Sequence, residues 1–242
     1  MLSGRSPSRA PAGQQSGGRP AGPSGTGYAV VDLEATGSSS RRHRVIELAV
    51  VLLDAELVPQ GEFTTLVDPQ GPVGPTHIHG IEARHLGGAP RFAGIAVRLL
   101  GLLRGRVLVG HNVGCDRAFL VAEFARIGLR PPSVPELCTM RMAAERGADR
   151  PPAYGLSLRA CAAEIGITDW SPHTALGDAR ATAALFTAYA ADGTSFAEEL
   201  GIAAALRWPE PAGVLAAADA LWVGRGNESP RRSVPNVRPG RA

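Results

Sequence analysis

The chain has 242 residues, of which 44% are hydrophobic and 19% charged, and its formal net charge is +3. That length suits one domain with a substantial core plus short appendages, and the composition excludes fibrous and low-complexity classes for the chain as a whole. No run of about eighteen apolar residues offers a membrane span, and the N-terminus lacks the apolar stretch of a secretory signal, so no membrane partner is expected.

Cys115, Cys138 and Cys161 are odd in number and form no CxxC pair, which points to free thiols in a reducing cytoplasm rather than to a disulfide framework. Every Lys/Arg-type charge is an arginine, and the charge is unevenly placed. Residues 1–26 carry Arg5, Arg9 and Arg19 without an acid. Residues 225–242 carry five arginines against Glu228, which leaves the stretch between the two tails net acidic. Basic tails of this kind either seek phosphates or keep a chain soluble.

Residues 1–26, rich in Gly, Ser, Pro and Arg, have little to bury and are expected to be disordered. The Gly22–Gly27 cluster is not a phosphate loop, because it lacks the Lys-Ser/Thr ending and follows no strand. Tyr28–Glu34 reads as a first strand, Arg44–Leu53 as a second apolar run broken by Glu47, and Glu62–Val67 as a third after a turn at Pro59-Gln60-Gly61. Short connections make these an antiparallel meander. His77 and His79 follow a Pro/Gly loop; two histidines at i and i+2 without further ligands read as structural.

Phe92, Ile95, Ala96, Leu99, Leu100 and Leu103 recur at helical spacing over 92–104, and Arg106–Gly110 is then a buried strand. Further helices are predicted from near Asp116 to about Ile127, near 138–146, near 156–165 beyond a Pro151-Pro152 break, and up to about Tyr189. The main domain is expected to span 27–192. An Ala-rich segment, 196–222, supplies one or two helices of a C-terminal appendage at 193–224, and 225–242 forms a second disordered basic tail.

Three stretches carry chemistry. In Val30-Val31-Asp32-Leu33-Glu34-Ala35-Thr36-Gly37, strand alternation puts Asp32 and Glu34 on one face and Val31 and Leu33 on the other. Two like charges side by side repel, and a hard divalent cation would make the pair favourable. A half-exposed strand with solvated acids is the alternative. Gly37 lets the backbone turn where a substrate could approach closely. His111-Asn112 ends the fourth strand ahead of Asp116, which either caps the next helix or delivers a third acid to the end of the sheet. Finally, His173 precedes Asp178 by five residues, which on a helix turn through roughly 500°, so the two would not share a face. His173 therefore belongs to a loop, with Thr174 a plausible N-cap and Asp178 one turn in.

Taken in order, Asp32-x-Glu34 with Thr36-Gly37, His111-Asn112 with Asp116 and Phe119-Leu120, and His173 with Asp178 resemble the DEDDh 3′→5′ exonucleases, above all the proofreading epsilon subunits of bacterial DNA polymerase III. His79-Gly80-Ile81 and Leu176-x-Asp178-Ala179 look like further pieces of that pattern. Ala35 and Cys115 depart from it at positions outside the acid and histidine set.

The resemblance implies an α/β, ribonuclease-H-like fold with a mixed five-stranded sheet flanked by helices. It implies Asp32, Glu34 and Asp178 as ligands of two Mg²⁺ or Mn²⁺ ions, Asp116 as support for the second, and His173 as general base. Thr36, Gly37, His111 and Asn112 are the implied substrate-binding positions. The implied partners are single-stranded or frayed nucleic-acid 3′ ends, with DNA favoured, and a DNA polymerase.

This chemistry stands on physical grounds. A phosphodiester repels hydroxide and releases a poor leaving oxygen, and two cations roughly 3.5–4 Å apart answer both problems. An imidazole, titrating at about 6.5 in isolation, can accept the proton of the attacking water. An RNA exonuclease of the same superfamily, or a nucleic-acid-binding polymerase accessory with little catalysis, are the alternative readings.

Overall fold

The computed structural model describes residues 25–147, 155–191 and 193–209. The expectations for most of the two basic tails, for the Pro151-Pro152 break and for the appendage beyond residue 209 lie outside the described residues.

Three strands open the chain: β1 (Gly27–Ala35), β2 (Val45–Asp54) and β3 (Pro59–Leu66). A short helix α1 (Thr76–His79) and a 3₁₀ turn (Ala83–Leu86) lead into α2 (Phe92–Leu103), β4 (Arg106–Gly110), α3 (Val113–Arg126) and β5 (Glu136–Cys138). The described chain closes with α4 (Thr139–Arg146), α5 (Leu158–Glu164), α6 (Ala175–Ala190) and α7 (Ala197–Ala205). The strands form one five-stranded sheet in the order β3-β2-β1-β4-β5. β1–β2 and β2–β3 are antiparallel, whereas β1–β4 and β4–β5 are parallel, so the sheet is mixed as expected.

β1 lies at the centre of this sheet, and both of its faces are covered. Ala29 and Val31 pack with α2 and α3 on one side, in a cluster that holds Phe92, Leu99, Leu120 and Phe124. Tyr28 and Val30 pack on the other side against α6 and α7, through Ala175, Ala179, Ala183, Phe186 and Ala203. Helical spacing along α6 and two-residue alternation along β1 thus meet face to face. Phe92 and Phe124 cross edge to face at 5.1 Å between centroids. Each such fully buried aromatic or aliphatic side chain contributes about 1.5–3 kcal/mol by leaving water.

Two elements differ from expectation, and a third agrees with it. α3 starts at Val113, three residues ahead of Asp116, because Asn112 adopts a left-handed backbone (φ 66°, ψ 45°) that turns strand directly into helix. Asp116 is therefore a buried first-turn residue and not the cap. β5 is three residues long and carries Glu136 at its start, too short for a periodicity to show. α1 holds the His77–His79 pair, and His79 is buried with Nδ1 accepting from the Ile81 amide at 3.0 Å, in keeping with the structural reading.

Candidate active site

The end of β1 is where the acids gather. Asp32 and Glu34 lie on the β1 face that meets α6, as the alternation requires, since Val31 and Leu33 pack into the opposite cluster. Asp116 reaches the same strand end from α3, with its carboxyl near the Leu33 amide. Asp178 arrives from the first turn of α6, whose N-cap is Thr174; the Thr174 hydroxyl accepts from the Gly177 amide at 3.2 Å. His173 stands just before that cap, exposed and with a left-handed backbone (φ 60°). One ligand atom each from Glu34, His173 and Asp178 lie within 4.8 Å of one another.

The acids disturb each other strongly. Burial first, then the charges of Asp116, Asp178, Glu34 and Glu47, hold the Asp32 carboxyl well above the ordinary carboxylate range. Glu34 is pushed up to about 7, by burial and then by Asp178 and Glu47. Asp116 is also pushed up to about 7 by burial, although hydrogen bonds from its own amide and that of Leu33 work the other way. A half-buried cluster of hard oxygen donors that repel one another, with one imidazole at its rim, fits a divalent cation of the Mg²⁺ or Mn²⁺ kind.

Two participants escaped sequence reasoning. Glu47 faces Glu34 across the β1–β2 ladder, and its Oε2 accepts from the Ala175 amide at 3.0 Å, at the start of α6. Burial and Asp178 raise its pKa while the Ala175 bond lowers it. Its signal was present: a lone acid interrupting an apolar run, in step with Ala49 and Val51, which face α6. Trp170 donates from Nε1 to Asp178 Oδ1 at 2.8 Å, and no spacing announced it.

The four expected substrate-binding positions divide. The Thr36 hydroxyl accepts from the Arg44 amide at 3.0 Å, and the Thr36 amide donates to the Arg44 carbonyl at 2.9 Å, closing the β1–β2 loop. The space beside Gly37 is filled by the His43 ring, 2.7 Å from where a Cβ would stand, so that close approach is made by the protein itself. Asn112 is exposed, with Nδ2 donating to Cys115 Sγ at 3.1 Å. His111 has both ring nitrogens engaged within the chain, Nε2 with the Leu156 carbonyl at 2.8 Å and Nδ1 with the Thr139 hydroxyl at 2.9 Å. Since a carbonyl only accepts, Nε2 carries the proton, and burial favours this neutral ring.

Around the site a buried carboxylate ties loop to helix. Glu123 of α3 takes Arg44 Nε at 2.8 Å and Nη2 at 3.0 Å, Arg126 Nη1 at 3.1 Å and the Val45 amide at 3.2 Å. Arg126 Nη2 also reaches the carbonyls of Ser40, Arg41 and His43.

A mixed five-stranded sheet in this order, with an acid cluster at the end of its central strand, is a ribonuclease-H-like fold, and comparison with known proteins gives the family. The model of the family described as Exonuclease (RNase_T) matches residues 29–186. A Mycobacterium tuberculosis protein named as a bifunctional exonuclease/endonuclease is 34% identical over 165 residues, which are 65% of this chain and 25% of that protein. The DNA polymerase III subunit epsilon of Treponema pallidum is 31% identical over 164 residues, 66% of this chain and 74% of the relative. The chain thus spans a quarter of the first relative's length and about three quarters of the second's. Among solved structures, the nuclease domain of 3'hExo, described as a DEDDh family member bound to rAMP, superposes with a TM-score of 0.60 at 19% identity, over 78% of this chain and 99% of that one. The chain belongs to the exonuclease family and carries its exonuclease domain.

Proposed function

We propose that this domain hydrolyses the terminal phosphodiester at DNA 3′ ends, in a proofreading or repair setting. The observation that carries the reading is the convergence of Asp32, Glu34, Asp116 and Asp178 from three elements on one strand end, with His173 at the rim. Asp32, Glu34 and Asp178 would hold two divalent cations, Mg²⁺ or Mn²⁺, with Asp116 supporting the second. Such ions, when bound, make water a nucleophile at neutral pH and stabilise charge on the leaving oxygen.

The remaining work belongs to the chain. His173, exposed beside Glu34 and Asp178, accepts the proton of the attacking water. Thr36 keeps its hydroxyl hydrogen for the terminal nucleotide, since its oxygen already accepts from Arg44. Gly37 and Asn112 border the same strand ends, and His111 contributes by bracing β4 to α4 and to the residues before α5. DNA is favoured by the epsilon subunit among the relatives, which also motivates a DNA polymerase as partner. RNA is the second reading, favoured by the rAMP bound to the structural neighbour. Free thiols at Cys115, Cys138 and Cys161 suit the reducing cytoplasm.

The test is a 5′-labelled single-stranded DNA oligonucleotide and its RNA counterpart, incubated with Mg²⁺, Mn²⁺ or EDTA, beside Asp32→Ala. A metal-dependent ladder shortening from the 3′ end, absent in the variant, is expected, and the faster substrate decides the sugar. No ladder from a folded protein would turn the reading toward a binding module.

A further inference from the structure

The segment that carries His173 is fastened to the first turn of α6 at three places. Trp170 Nε1 donates to Asp178 Oδ1 at 2.8 Å, and the His173 amide donates to Asp178 Oδ2 at 3.0 Å. Between them the Thr174 hydroxyl donates to the Ser171 carbonyl at 2.7 Å. That carbonyl lies so close to α6 that a Cβ on Gly177 would be 2.1 Å from it. One carboxylate therefore receives a hydrogen bond from each end of the segment 170–173.

From this arrangement we infer that Trp170 is a positioning residue of the site: its indole N–H sets the plane of the Asp178 carboxylate and, through it, the stance of the His173 segment beside Glu34. The inference rests on the reading of Asp178 as a metal ligand. The indole nitrogen is a donor only, so it can meet Asp178 in no role but that of orienting an acceptor. A carboxylate offers about four lone-pair sites, and two hydrogen bonds leave room for a cation on the same oxygens.

The His173 backbone needs such a hold. A non-glycine residue in the left-handed region persists only where its surroundings over-determine it. Of residues 168–173, Trp170 alone is partly buried, so its side chain anchors an otherwise exposed segment. Groups that orient ligands in this way typically contribute about 10–100-fold to metal affinity or activity.

The full chain labelled with ¹⁵N-tryptophan tests this, because it shows three indole signals, from Trp170, Trp208 and Trp222, and Trp170→Phe assigns the first. The Trp170 indole proton is expected downfield of an unbonded indole, to move upfield in Asp178→Asn, and to shift on titration with Mg²⁺ alone. Trp170→Phe is expected to weaken Mg²⁺ binding, read by calorimetry, and to lower kcat on single-stranded DNA by about 10–100-fold each with KM nearly unchanged. An indole signal indifferent to Asp178→Asn, or wild-type Mg²⁺ affinity and kcat in Trp170→Phe, would overturn the inference. Should Trp170→Phe fail to fold, Trp208→Phe and Trp222→Phe assign the Trp170 signal by elimination, and its response to Asp178→Asn decides in either direction. Should the nuclease reading fail instead, the indole shift and the Mg²⁺ titration still report, since neither depends on turnover.

Discussion

Glu34 and Glu47 stand opposite one another across the β1–β2 ladder, two acids where cross-strand neighbours gain most from opposite charge. Glu47 is partly compensated by the Ala175 amide at the start of α6, where a helix favours negative charge. Among the described residues Glu34 has no such relief, and burial followed by Asp178 and Glu47 pushes it from 4.5 up to about 7.

Stability of the metal-free protein should therefore fall as pH rises. With folded-state values raised above the ordinary ones, Glu34 and Asp116 bind more protons in the native than in the unfolded state between about 4 and 7. The native state is then favoured at the acid end of that window and loses the advantage as pH climbs through 7. Thermal melts in EDTA should give a lower Tm at pH 8 than at pH 5.5, and saturating Mg²⁺ should restore the pH 8 value. A Tm in EDTA that climbs across the window would contradict the crowded-acid picture.

Asp32→Asn should separate function from stability. Asp32 feels four other acids, so removing its charge relieves repulsion while removing a ligand position. Exonuclease activity should disappear while the Tm in EDTA at pH 8 rises. An inactive variant that is also unfolded by circular dichroism would sink the assignment of Asp32 to the site chemistry.

His173→Ala should act on the rate alone. The side chain is exposed and its backbone amide, which holds Asp178, survives the substitution. We expect kcat to fall by roughly 10²–10⁴-fold, the usual worth of a positioned general base, with Mn²⁺ and DNA affinity little changed. Partial recovery by added imidazole would support proton acceptance as its role, and a variant with wild-type kcat would end it.

Glu123→Ala should be among the costliest substitutions outside the site. The carboxylate is 1% exposed and meets two arginines and a backbone amide. Breaking a buried pair from one side costs about 3–5 kcal/mol, and because both arginines are about a quarter exposed the lower end, ~3 kcal/mol, is expected. Urea unfolding with an unchanged slope measures it, and a loss under ~1 kcal/mol would show that the network is incidental.

Much of this was legible in the chain itself. Alternation in Val30–Glu34 placed Asp32 and Glu34 on one face, and the helical geometry of a five-residue gap placed His173 outside the helix that carries Asp178. What stayed hidden depended on tertiary partners. The β5 edge strand is too short to carry a period, and α3 starts early because Asn112 takes a conformation that only its surroundings select. Trp170 finds its acid through a turn closed by the Ser171 carbonyl and the bare Gly177, a relation no spacing rule encodes.

The central place of β1 has a consequence for how the enzyme can fail. The strand is hydrogen-bonded on both sides, antiparallel to β2 and parallel to β4, so its inner amides open only when the whole sheet does. Hydrogen exchange at Val30 and Val31 should then report global unfolding, and partial fraying at β3 or β5 should leave the acid pair in place. Activity lost to heat would be lost all at once, with the domain itself.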